Sequence, residues 1–166
     1  ANVIPDIVTL GKAIGGGVPL SVAAARKDVM DLPPGSHCTT TGGNPIACAT
    51  GLTFLDILFE EKLLEKATEL GDYTMKRLKE MQQKYEIMGD VRGKGLAICI
   101  ELVKDRETKE PIDSKHFVGK MFEKGVLMVS GGVGVRICPP LIISKEMMDA
   151  GLEILESTIN EVNKEH

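Results

Sequence analysis

A single lysine, Lys12, stands between a short apolar run and three consecutive glycines. The run, Ile7–Leu10, is rich in β-branched residues and predicts a buried strand. The glycines at 15–17 let the backbone turn sharply and approach a ligand closely. A lysine at the end of a buried strand is costly unless its ammonium is paired, and burial favours the neutral amine, which attacks carbonyls. The segment therefore fits a lysine that forms a Schiff base, although a solvated lysine in a glycine turn fits it too.

Hydroxyl groups and glycines precede a predicted helix start in a second segment, residues 37–45. Its sequence is His-Cys-Thr-Thr-Thr-Gly-Gly-Asn-Pro, and its candidate ligands are Thr39 and Thr40. Asn44 can cap a helix, and Pro45 suits the first helical position. Hydroxyls, glycine amides and a helix N-terminus together suit a phosphate or another anion. A polar loop that only caps the helix is the alternative interpretation.

Arg136 is the charged residue of a third segment, the otherwise apolar run Val-Arg-Ile-Cys-Pro-Pro-Leu at 135–141. An arginine in such a strand needs an anionic partner, and its planar guanidinium matches a carboxylate. A ligand carboxylate and a structural ion pair with a glutamate explain the arginine equally well.

Composition limits the partners of this protein. The 166 residues have 43% hydrophobic and 27% charged content, as soluble globular proteins do. The net charge of −4 argues against a nucleic-acid partner, and no apolar run is long enough to span a membrane. The four cysteines and three histidines are scattered, so we expect no metal site. Free thiols fit a reducing compartment, and we expect a cytoplasmic location.

The periodicity of apolar residues predicts a mixed α/β chain. Strands at 7–10 and 21–25 flank the Lys12 turn, one helix follows Asn44 to about residue 59, and a second covers 62–84. The rest predicts a compact α+β domain with strands at 87–91, 96–103, 126–129 and 135–138, a helix at 113–124, and a last helix capped by Ser144.

Together these segments resemble the C-terminal part of class III pyridoxal-phosphate-dependent aminotransferases of fold type I. That family contains the 4-aminobutyrate, ornithine and acetylornithine aminotransferases. The resemblance covers nearly the whole chain, and the matching stretches are PDIVTLGK with GGG, TTGGNP, RGKGL and RICPPL, in the order of the sequence. The resemblance implies that residues 1–45 end the large cofactor-binding domain, that 46–84 are connecting helices, and that 85–166 form the small α+β domain.

The resemblance also implies roles for individual residues. Lys12 resembles the lysine that holds pyridoxal 5'-phosphate covalently and later moves the α-proton of the substrate. Thr40, with Thr39 beside it, resembles the hydroxyl that reaches the cofactor phosphate of the other subunit in a homodimer. Arg136 is similar to the arginine that binds the substrate carboxylate. Arg92, which precedes Gly93, is interpreted as part of a structural turn.

The function that the resemblance implies is transfer of an amino group from an amino acid to a 2-oxo acid such as 2-oxoglutarate. The donor would be 4-aminobutyrate or another ω- or α-amino acid. An amino-acid racemase or epimerase of the same fold is the first alternative. A catalytically silent folding or dimerisation module is the second.

The chain starts without a methionine in strand-like sequence, so we expect it to be part of a longer protein. The resemblance implies an upstream phosphate loop, an aspartate that pairs with the pyridine nitrogen, and a ring-stacking aromatic residue. Residues 1–166 alone are therefore expected to be inactive.

Overall fold

The structure is a computed structural model that describes residues 3–132 and 134–166. Its contacts group the chain into two compact units, Ala1–Lys62 and Leu63–His166, and each is described by itself. The mixture of helices and strands confirms the predicted α/β class. The predicted division at residues 45 and 84 stays a prediction about family domains, since contacts within this chain place the first long helix in one unit and the second in the other.

The first unit contains a two-stranded antiparallel sheet and one long helix. The strands are β1 (Ile7–Leu10) and β2 (Val22–Ala25), joined through a 3-10 turn at Lys12–Gly15. The helix α1 spans Pro45–Glu60. Both strands lie within a residue of their predicted positions, which confirms the strand–lysine–glycine arrangement.

The predicted burial of β1 is wrong for this chain. All four of its residues are solvent-exposed, with Ile7 at 56% and Leu10 at 42% of full exposure. The physical reason is that β1 pairs only with β2, and the described residues of this unit supply no layer that covers the sheet. Its β-branched sequence still favours a strand, because that preference is local.

Helix α1 begins as the sequence predicts. The Asn44 side chain accepts a hydrogen bond from the backbone N–H of Ala47 at 2.9 Å, and Pro45 occupies the first turn. Its sequence is apolar almost all round, and its buried residues are Ala47 and Gly51. Across residues 3–132 and 134–166, neither α1 nor any other helix combines the length and apolar character needed to cross a bilayer.

The second unit is a four-stranded antiparallel sheet covered by three helices. The elements are α2 (Leu63–Lys84), β3 (Met88–Lys94), β4 (Ala97–Leu102), α3 (Ser114–Glu123), β5 (Val129–Ser130), β6 (Gly134–Ile137) and α4 (Lys145–Asn163). The strand order is β3-β4-β6-β5. Asp113 and Ser144 each accept a backbone hydrogen bond in the first turn of their helix, and Ser144 does so as the sequence predicts.

One predicted strand of this unit is displaced. The sequence predicts an extended segment at 126–129, but β5 starts only at Val129. The backbone N–H of Val126 donates to the carbonyl of Met121 at 2.9 Å, which closes the end of α3. Gly125, with φ of 87°, makes that closure possible, so Val126 belongs to the helix terminus rather than to the strand.

One face of the sheet forms the core with the three helices. Alternate residues of β4, Ile98 and Ile100, are buried there, as is Val135 of β6. The helices contribute Leu78, Phe117 and Leu152, each almost fully buried. Because strand side chains alternate, the neighbouring residues of the same strands must lie on the opposite, open face.

Arg106 caps the C-terminal end of α2 from the loop after β4. The sequence analysis did not single out this residue. Its Nη2 donates to the carbonyls of Gln82 and, at 2.8 Å, Tyr85, while its Nε donates to the carbonyl of Glu86 at 3.2 Å. A cation at a helix C-terminus satisfies carbonyls that have no partner within the helix. The loop after β4 is thereby fastened to α2.

The β3–β4 hairpin packs directly against α2 through two glycines. Gly95 occupies the two-residue loop with φ of 55°, a conformation that suits glycine. A Cβ atom added to Gly71 of α2 would lie 2.3 Å from the carbonyl oxygen of Gly95. The helix and the hairpin can approach this closely because Gly71 has no side chain.

We predict that Gly71→Ala destabilises the second unit by roughly 1–3 kcal/mol, because backbone must move to admit the methyl group. Gly119→Ala in α3 is the matched control, since nothing lies within 4 Å of a Cβ at that position. The Gly119→Ala substitution should instead stabilise the second unit by about 0.5–1 kcal/mol, because alanine has a higher helix propensity than glycine. Urea unfolding of both variants measures the two effects, and equal effects of the two substitutions would contradict the close packing.

Candidate active site

The backbone at Lys12 is strained. Gly11 is extended with φ of −158°, and Lys12 then takes φ of 56°, in the left-handed region. For a residue with a side chain this conformation costs roughly 1–2 kcal/mol. Lys62 and Lys109 have similar φ values, so strain by itself does not distinguish Lys12. What distinguishes Lys12 is that the strained residue follows a strand, with only Gly11 between them, and opens the glycine turn.

The glycines after Lys12 hold the turn through backbone hydrogen bonds. The N–H of Gly16 donates to the carbonyl of Ala13, and that of Val18 to the carbonyl of Gly15, both at 3.0 Å. Gly16 and Gly17 have φ of 58° and 101°, two successive conformations that disfavour a side chain. The turn therefore orients Lys12 by backbone geometry.

The Lys12 side chain is exposed, contrary to the expectation from a buried strand. Among residues 3–132 and 134–166, no hydrogen-bond or ion-pair partner engages its amine. The amine is consequently accessible to a carbonyl ligand.

Thr39 and Thr40 lie in the exposed loop before α1. A side chain at Gly42 would overlap the Thr39 methyl group, with 2.1 Å between the added Cβ and Cγ2, so Gly42 leaves room for Thr39. The helix cap suggested as an alternative role for this segment is present and uses Asn44. Within the described part of the chain, neither threonine hydroxyl has a hydrogen-bond partner, so both remain able to bind an anion.

Arg136 lies on β6 in the second unit, opposite Cys99 of β4 and Val129 of β5. Its guanidinium lies beside Gly131, where an added Cβ would be 3.5 Å from Nε. The structural ion pair considered from the sequence is not found within residues 3–132 and 134–166. Arg136 is also the one charged residue among the described residues that line a pocket of about 530 Å³.

Arg92, which the sequence analysis interprets as part of a structural turn, also forms two ion pairs. Its Nη1 lies 2.7 Å from Oδ2 of Asp90 and 2.5 Å from Oε1 of Glu101. The hydrogen bond from Arg92 lowers the pKa of Asp90, and the two carboxylates raise the pKa of Arg92. Sequence reasoning missed Glu101, although the register of a two-residue hairpin could have placed it beside Arg92.

The structure thus brings the predicted cofactor residues into one unit. Lys12, Thr39 and Thr40 belong to Ala1–Lys62, whereas Arg136 belongs to Leu63–His166. A primary amine without a partner and two free hydroxyls are the chemical groups that an aldehyde carrying a phosphate requires, so these residues fit such a cofactor. Within the described residues, no three or more His, Cys, Asp or Glu side chains are grouped to hold a metal ion.

Comparison with known proteins places the chain in a family. The model of the class III aminotransferases matches residues 1–159, and the chain belongs to this family. It is 38% identical, over 97% of its length, to an acetylornithine aminotransferase of Caldanaerobacter subterraneus. It is 46% identical, over 98% of its length, to a leucine/methionine racemase of Thermococcus litoralis.

A solved structure agrees with the family. The ornithine δ-aminotransferase of Plasmodium falciparum superimposes with a TM-score of 0.90 at 38% identity, over 99% of this chain and 42% of that chain. The chain spans 38% and 39% of the length of the two curated relatives. Class III aminotransferases depend on pyridoxal phosphate, which confirms the cofactor expected for the family.

We predict that pyridoxal phosphate attaches to Lys12. Borohydride reduction of the holoprotein, followed by peptide mapping, should find the pyridoxyl group on Lys12, because its amine is accessible and its backbone is held by the turn. The Lys12→Ala variant should lose the label, and Lys27→Ala, which removes another exposed lysine of the same unit, should keep it. A label on a different lysine would sink the assignment.

Proposed function

We propose that this protein takes part in pyridoxal-phosphate-dependent transfer of an amino group from an amino acid to a 2-oxo acid. The donor would be 4-aminobutyrate or another ω- or α-amino acid, and the acceptor a 2-oxo acid such as 2-oxoglutarate. The observation that carries the proposal is Lys12, an accessible amine on strained backbone at the end of a strand, in a chain that matches its family over residues 1–159.

Lys12 would have two tasks. Pyridoxal phosphate supplies an electron sink for the bond that breaks at the α-carbon of the substrate. The Lys12 amine would hold the cofactor covalently and then, once released, accept and return the α-proton. The glycine turn fixes the backbone from which that amine projects, which limits the positions that it must sample.

Thr39 and Thr40 would bind the cofactor phosphate. Their hydroxyls can donate hydrogen bonds to phosphate oxygens, and both lie just before the N-terminus of α1, where the helix dipole favours an anion. By family resemblance the phosphate would be that of the partner subunit, so we propose a homodimer with an active site shared across the interface. We also propose that the protein acts in the cytoplasm.

Arg136 would bind the carboxylate of the substrate. Its guanidinium is exposed and can donate two parallel hydrogen bonds to a carboxylate.

A racemase or epimerase is the second candidate function. The observation in its favour is the 46% identity to the leucine/methionine racemase and 40% identity to an alanine/serine racemase of Pyrococcus horikoshii. Lys12 and Arg136 would serve both reactions, because each begins with removal of the α-proton. A racemase would differ in returning the proton to the other face of the α-carbon.

One experiment separates these candidates from each other and from a silent module. The holoprotein is given a single L-amino acid, with and without 2-oxoglutarate, and both the D-enantiomer and glutamate are measured. Glutamate formed only with 2-oxoglutarate supports transamination, and a D-enantiomer formed without it supports racemisation. The 166-residue chain with excess pyridoxal phosphate should form neither product, since the resemblance places other cofactor-binding groups outside this sequence. Turnover by that chain would contradict its assignment as an incomplete catalyst.

We predict that Arg136→Ala raises KM for the amino acid about tenfold or more, because a charge-assisted hydrogen bond contributes roughly 1.5–3 kcal/mol. The absorption of the bound cofactor should not change, because Lys12 and the threonines are untouched. Arg26→Ala is the control, since Arg26 is an exposed arginine that pairs only with Asp6 and Asp28 among the described residues. An unchanged KM in Arg136→Ala would count against the role.

A further inference from the structure

The open face of the four-stranded sheet carries three charged residues close to one another. Register pairs Arg92 with Cys99 and Cys99 with Arg136, so these residues form one row across β3, β4 and β6. Glu101 lies two residues beyond Cys99 on β4 and therefore points to the same side. The intervening residue, Ile100, is fully buried on the opposite side.

Glu101 is a potential competitor for Arg136. It pairs in register with Gly134, which makes it the diagonal neighbour of Arg136 across β4 and β6. Diagonal neighbours in an antiparallel pair are about 7–8 Å apart, within reach of a long side chain such as arginine. An unpaired glutamate at this distance would attract the guanidinium and reduce its availability to a ligand carboxylate.

Glu101 forms an ion pair with Arg92 instead. The 2.5 Å contact between Nη1 of Arg92 and Oε1 of Glu101 directs the carboxylate toward β3, away from β6. The Glu101 side chain is only 27% exposed, so it has little room for other arrangements. A second contact, from the same Nη1 to Oδ2 of Asp90 at 2.7 Å, also restrains the guanidinium.

We infer that Arg92 is a positioning residue that keeps Arg136 free for the substrate carboxylate by engaging Glu101. This inference rests on the proposed role of Arg136 as the carboxylate-binding group. A purely structural role for Arg92 would affect the stability of the hairpin but would leave the state of Arg136 unchanged. The two roles therefore differ in a property of Arg136 that can be measured directly.

The test measures the reactivity of Arg136 toward phenylglyoxal, which modifies guanidinium groups and does so more slowly when they are ion-paired. Peptide mapping by mass spectrometry gives the rate at each arginine of the 166-residue chain. In Arg92→Met, Glu101 is released to Arg136, and modification of Arg136 should slow by about threefold, as expected for an exposed ion pair. The Arg92 side chain is 54% exposed, so this substitution should leave the fold intact, which circular dichroism checks.

Two further variants make the result specific. The double variant Arg92→Met/Glu101→Gln should restore the original rate at Arg136, because the competing charge is gone. Arg92→Lys, which keeps the positive charge, should also retain most of the original modification rate at Arg136. An unchanged rate in Arg92→Met, or a slow rate that persists in the double variant, would overturn the inference.

A kinetic measurement separates this inference from the proposed function. In the holoprotein, Arg92→Met should raise KM for the amino acid about threefold while kcat changes little, and Glu101→Gln should reverse the increase. If Arg136→Ala leaves KM unchanged, the carboxylate-binding role fails, whereas the phenylglyoxal rates still decide whether Arg92 controls Arg136. If Arg136→Ala raises KM and Arg92→Met does not, the positioning role alone fails.

Discussion

Burial of one face of the β3-β4-β6-β5 sheet beneath α2, α3 and α4 is the constraint on which the second unit depends. Ile98, Ile100 and Val135 must face the helices, because the apolar stripes of those helices have no other surface to cover. Strand alternation then places Glu101 and Arg136 together on the open face. The polar arrangement of that face follows from packing on the other.

The first unit achieves its arrangement differently. It has few buried side chains, and the position of Lys12 depends on backbone conformation rather than on a core. A strand end, a left-handed lysine and two left-handed glycines turn the chain within a few residues. Such a turn is specified locally, which explains why it is formed even though β1 is exposed on both sides.

The two chemistries proposed for this protein share their first step and therefore share their residues. Removal of an α-proton needs a positioned base, which Lys12 can supply, and a fixed carboxylate, which Arg136 can hold. The later steps depend on the face from which the proton returns and on whether a 2-oxo acid enters. Under the proposed roles, the described residues would supply the common part of the site, and the chain is similar to relatives of both kinds.

The amino-acid sequence by itself determined the features that depend on neighbouring residues. The 3.6-residue period of α2, the cap formed by Asn44 and Pro45, and the β-branched run of β1 could all be predicted because their signals are local. The order of its motifs also predicted the family. Lys12, Thr39, Thr40 and Arg136 were selected on that basis, and their functional roles stay predictions.

Tertiary structure decided what depends on residues distant in sequence. The exposure of β1 depends on which elements cover it, and the late start of β5 depends on how Val126 closes α3. The pairing of Arg92 with Glu101 required the hairpin register, and the contact of Gly71 with Gly95 required the docking of that hairpin on α2. Periodicity shows which face of an element is apolar, but it carries no information about which partner that face meets, since the partner is chosen by packing across the whole unit.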